Sequence, residues 1–79
     1  MAVRREPKTV FTFPTTTFAL EAERLCKIES IPGRLIPVPS QISAGCGMAW
    51  CFPPEAAKAV EELLLRKNIT VQGVYELEI

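Results

Sequence analysis

The sequence predicts an α+β fold, a ferredoxin-like two-layer sandwich of βαββαβ order with an antiparallel sheet and both helices on one face. Three observations lead there. Apolar patterning switches between period two and helical period in the order strand, helix, strand, strand, helix, strand across 79 residues. Proline and glycine punctuate the boundaries between these segments. A chain of this length makes one domain that buries only about 60–65% of its unfolded surface, which leaves room for support from dimerisation.

Residues 1–8, with Arg4, Arg5, Glu6 and Pro7 and no apolar period, read as a mobile N-terminal tail to a single domain over 9–79. Thr9-Val10-Phe11-Thr12-Phe13 is β-branched and aromatic and is closed by Pro14, which makes it the first strand, with Phe11 and Phe13 on one face. Thr15, Thr16 and Thr17 offer capping hydroxyls for a helix over about 18–29, whose apolar stripe is Phe18, Ala22, Leu25, Cys26 and Ile28. Cys26 is therefore core packing.

Ile31-Pro32-Gly33-Arg34 has the proline and glycine of a type II turn, leading into a second strand over 34–38. Pro37 lacks an N–H for the ladder and assigns this strand to a sheet edge, as the usual strand order 4-1-3-2 also does. A polar stretch, 39–46, precedes a third strand over 47–52, in which Met48, Trp50 and Phe52 alternate with Gly47, Ala49 and Cys51. Pro53-Pro54-Glu55 opens a second helix that runs to about Lys67, with a buried stripe of Ala56, Ala59, Val60, Leu63 and Leu64 and with Asn68 as a left-handed cap. Val74-Tyr75-Glu76-Leu77-Glu78-Ile79 alternates as a final strand buried on one face.

Composition narrows the chemistry. Nine Lys and Arg balance nine acids, all glutamate, so no nucleic acid or anionic membrane is indicated as partner. Aromatics on strands one and three superficially suit an RNA-recognition module, but the basic-aromatic signature is missing and core packing is favoured. Without histidine or aspartate the chain can build no Ser-His-Asp triad, no Cys-His dyad and no histidine-based zinc site. A metallochaperone's CxxC pair is absent from the first loop, Pro14-Thr15-Thr16-Thr17, so no cofactor and no metal is expected. Three cysteines without CxxC spacing and without a signal segment indicate a reducing, cytoplasmic setting. The apolar runs are too short for a membrane span.

Cys46, between Gly45 and Gly47 and after Ser43, is the candidate functional thiol. Flanking glycines leave it unshielded and let amides approach the sulfur. Topology brings its loop to the sheet end where the first helix starts, so Thr16 and Thr17 and the helix's positive end would favour a thiolate. Spacing alone leaves a second reading open, in which the glycines form a turn and Cys46 is small filler. Cys51 has opposite strand parity and belongs on the outer sheet face, about 16 Å along the strand from Cys46, so the two should neither bridge nor chelate.

The series Phe13 with threonines into an Ala-Leu-x-Ala-Glu helix, Ile31-Pro32-Gly33-Arg34-Leu35-Ile36-Pro37, Ser43-Ala44-Gly45-Cys46-Gly47 and Phe52-Pro53-Pro54-Glu55 resembles the selenium/sulfur carrier protein-like family. That is a small bacterial family, otherwise a domain of unknown function, and the resemblance covers about 9–79. It implies a carrier holding a persulfide or selenopersulfide on Cys46, acting between sulfur or selenium donor and acceptor proteins rather than as a stand-alone enzyme. It assigns no role to Cys26 or Cys51. The competing reading is a non-catalytic interaction or ligand-sensing domain, dimeric through its open face or edge strand, with Cys46 as a turn residue.

Overall fold

The computed structural model describes residues 6–38 and 47–78. Its elements are β1 (Pro7–Thr12), α1 (Thr16–Ile28), β2 (Arg34–Pro37), β3 (Met48–Phe52), a 3-10 turn (Pro54–Ala56), α2 (Ala57–Arg66) and β4 (Gly73–Glu78). The strands form one sheet of order β2-β3-β1-β4 with every neighbouring pair antiparallel. Read from β4 this is 4-1-3-2, and it puts β2, with Pro37, on an edge.

The sheet buries both faces by different means. Phe11, Phe13, Trp50 and Phe52 join Ala19, Ala22, Leu25 and Cys26 of α1 and Val60, Leu63 and Leu64 of α2 in the main core, so both helices pack on the same face. Phe11 and Phe52 meet edge to face with ring centroids 4.9 Å apart, the arrangement ring quadrupoles favour. On the opposite face Val10, Ala49 and Cys51 are buried beneath partly buried Ile36, Val38, Tyr75 and Leu77. Cys51 thus lies on the outer face, as strand alternation requires.

Both helices end with the same hydrogen-bond pattern. In α1 the Ser30 N–H donates to Lys27 O (3.1 Å) and the Ile31 N–H to Cys26 O (2.8 Å), with Ser30 at φ 58°. In α2 the Asn68 N–H donates to Leu65 O (3.2 Å) and the Ile69 N–H to Leu64 O (2.9 Å), with Asn68 at φ 59°. Each is a Schellman motif: one left-handed residue satisfies the last carbonyls and turns an isoleucine, Ile31 or Ile69, back onto the core.

This pattern corrects the expected type II turn at Pro32-Gly33. Gly33 has φ 159°, far from the roughly +80° of that turn, and the reversal is already made at Ser30. Glycine is needed at 33 for space, since a Cβ there would lie 2.6 Å from Trp50 Cζ2. Two stripe positions are also corrected. Ile28 is 63% exposed because helical spacing sets it off the face shared by Ala19, Ala22, Leu25 and Cys26. In α2 and the turn before it the core stripe is Ala56, Ala57, Val60, Leu63 and Leu64, and Ala59, about a quarter turn off it, faces solvent.

Candidate functional site

One end of the sheet gathers the described parts of the expected site. The register pairs Thr12 with Ala49 and with Gly73, and Pro37 with Met48, so β1 and β2 finish where β3 and β4 begin. The Val38 N–H donates to Gly47 O at 2.9 Å, which pins the two ends of the β2–β3 connection to each other. The chain leaves β1 at this same end, passes Phe13 and Pro14, and starts α1. A helix N-terminus, with its uncompensated N–H groups and positive dipole end, therefore shares an end of the fold with the connection that contains Cys46.

The cap is specific. Thr15 has extended backbone (φ −140°, ψ 155°), and its Oγ1 accepts from the Phe18 N–H at 3.3 Å. Of the three threonines it is Thr15 that caps, which leaves Thr16 and Thr17 in the first turn with exposed side chains and with N–H groups that no intrahelical carbonyl can reach. Gly47 has φ 78°, and a Cβ there would meet nothing within 4 Å. Glycine at this position is thus a conformational requirement and not a packing one. Cys46, Ser43 and Gly45 lie outside the described residues, and so does the expected separation of Cys46 from Cys51.

The other two thiols are accounted for. Cys26 has 0% exposure in the main core, against Trp50. Burial pushes its thiol from 9.0 up to about 11, a rise that the Trp50 side chain partly offsets. The Trp50 indole N–H is buried without an acceptor in hydrogen-bond geometry, so its approach to Cys26 is an electrostatic contact rather than a full hydrogen bond. At neutral pH Cys26 is a protonated, enclosed thiol, unsuited to nucleophilic attack. Cys51 is 2% exposed on the opposite face, between its register partners Val10 and Arg34. The sheet separates these two cysteines, so no disulfide can join them.

Among the described residues no group of three or more cysteine and carboxylate side chains is placed to hold a metal ion. No helix of the described residues is long and apolar enough to cross a membrane. The part of the site that sequence reasoning missed is the tie between Val38 and Gly47, a backbone contact with no signature in residue type.

Neither a curated protein nor a solved structure matches the chain. A family model described as "Putative Se/S carrier protein-like" matches residues 8–76, nearly the whole chain. The match covers most of the chain, which belongs to that Se/S carrier protein-like family.

Proposed function

We propose that the chain is a sulfur or selenium carrier whose working group is Cys46, supported by Ser43, Gly45, Gly47, Thr16 and Thr17, on a ferredoxin-like scaffold. The element order and the β2-β3-β1-β4 sheet support the scaffold assignment. The observation that carries the thiol assignment is the burial of the other two cysteines, on opposite sheet faces, in a chain of this family. Cys46 is the remaining thiol, and its connection is tied off beside the start of α1.

The chemistry balances without an oxidant or a metal. The Cys46 thiolate attacks the terminal sulfur of a donor persulfide. A new S–S bond forms at Cys46 as the donor's S–S bond breaks, and the donor leaves as a thiolate. An acceptor thiolate then attacks the terminal sulfur, takes it as a persulfide and returns Cys46 as a thiolate. A donor selenopersulfide follows the same two steps, with selenium as the terminal atom. The Cys46 proton goes to solvent when the thiolate forms.

The test is intact-mass measurement after incubation with a cysteine desulfurase and cysteine. The native chain gains one sulfur atom and Cys46→Ser gains none, although Cys26 and Cys51 remain in both. Equal gain in the variant, or no gain in either, returns Cys46 to the role of a turn residue in an interaction domain.

A further inference from the structure

The two edges of the sheet are prepared differently. β2 has four residues and carries Pro37, which interrupts the row of donors along its outer side. β4 has six residues, Gly73–Glu78, contains no proline, and among the described residues pairs only with β1, so its other side presents a row of backbone donors and acceptors to them. Its side chains alternate. Val74, Glu76 and Glu78 lie on the helix side, because Val74 pairs with Phe11, while Tyr75 and Leu77 join the apolar layer on the opposite face.

Beside this edge, on the helix side, is a groove of about 320 Å³ lined by Phe11, Leu64, Leu65, Ile69, Val71 and Val74 together with Glu61. Two of its apolar walls stand open to water, Leu65 at 76% exposure and Val74 at 61%. Glu61 is the one charged side chain of the described residues that line it. Among the described residues Glu61, Glu76 and Glu78 make no ion pair; the carboxylates that do are Glu6, Glu21 and Glu23.

We propose that β4 is a docking edge for an extended segment of a partner protein that carries two lysine or arginine residues alternating with apolar ones and a further apolar residue next to them. Added as a fifth strand, such a segment would set its basic side chains opposite Glu76 and Glu78. One apolar residue would reach the groove over Val74, and the others would extend the layer formed by Tyr75 and Leu77. Residues directly opposite in a strand pair share a face, so a segment with basic residues opposite Glu76 and Glu78 and apolar ones opposite Val74, Tyr75 and Leu77 meets all three conditions. The same carboxylates disfavour two registers of pairing with a second copy of this chain, centred on Glu76 or on Leu77, which set glutamate against glutamate; the register centred on Tyr75 does not, and sedimentation tests it. This surface does not depend on Cys46.

The probe is a capped valine peptide about the length of β4, with lysines only at the positions opposite Glu76 and Glu78, titrated into the amide-labelled full chain by NMR. The expected result is saturable shifts over Gly73–Glu78 and over residues 61–71, with slowed amide exchange along β4. Binding should weaken about tenfold or more in the Glu76→Lys, Glu78→Lys double variant and with increasing salt. A control peptide with glutamate in place of lysine, added to the native chain, should not bind, and this arm is independent of how the variant folds. The proposal is overturned if millimolar peptide produces no saturable shift, or if charge reversal on either side leaves the affinity unchanged. It is also overturned if sedimentation shows the chain pairing with itself through a protected β4 before any peptide is added.

Discussion

The helix-covered face of the sheet is filled by four large rings, Phe11, Phe13, Trp50 and Phe52, whereas the opposite face is filled by Val10, Ala49 and Cys51; none of the seven is more than 3% exposed. The equal burial has unequal causes. On the first face two helices supply a second layer, and ring volume fills the space between the layers. On the second face no helix of the described residues takes part. The central strands β1 and β3 carry small side chains, and Ile36, Val38, Tyr75 and Leu77 from or beside the edge strands roof them over. Among the described residues, these margins are what packs over the centre of that face.

The largest expected effect breaks this comparison at the side-chain level. Phe52→Ala removes a ring that is 1% exposed and packed edge to face on Phe11, and it should cost about 3–5 kcal/mol, a large part of the stability of a domain of this size. Its neighbour in the chain, Cys51→Ala on the other face, loses one sulfur atom under a thin roof and should cost about 1 kcal/mol. Urea melts of both variants check the pair. Equal losses would mean that the helix-free face is packed as a core in its own right.

The next effect is pH-dependent and belongs to the helix-covered face. Cys26 binds its proton more tightly folded than unfolded, because burial raises its pKa from 9.0 to about 11. Below 9 both states keep the proton and stability does not change on this account. Between 9 and about 11 the unfolded chain releases the proton while the folded chain holds it, so stability falls by about 2–3 kcal/mol across that window. Urea melts at pH 8, 9.5 and 11 should show this loss, and Cys26→Ala should lack it. A loss that persists in Cys26→Ala would assign the titration elsewhere.

Where residue type decides geometry, the sequence was readable. Pro37 placed β2 on an edge, strand parity placed Cys51 on the outer face, and Asn68 announced the end of α2. The errors cluster where two local signals compete. Pro32-Gly33 is a strong turn signal and Ser30 a weak one, yet the reversal occurs at Ser30, because the Schellman bonds satisfy the carbonyls of α1 and return Ile31 to the core. Ala59 departs from the expected stripe of α2 because an alanine is small enough to read as core or surface, and its position in the turn falls off the face of Val60, Leu63 and Leu64. At the candidate site the threonine cap and the need for glycine at Gly47 were legible. The bond between Val38 and Gly47 was not, since any two residues can make it.

The smallest expected effect sharpens the comparison, because helix endings stabilise one face only. Ser30 holds φ 58°, which a residue with a Cβ adopts at a cost, whereas Asn68 at φ 59° tolerates it better. Ser30→Gly relieves that cost in the folded chain but gives the unfolded chain more freedom, and the balance should be a gain of about 0.5–1 kcal/mol. That corresponds to a rise of roughly 2–8 °C in Tm for a domain of this length. The gain should pass through Ile31 and the end of α1 to the face that encloses Cys26. Labelling by a thiol reagent under mildly destabilising conditions should therefore slow at Cys26 in Ser30→Gly. Cys51, whose roof comes from side chains of and beside the edge strands, should slow less. Equal slowing at both would show that the two faces open together, in one cooperative step.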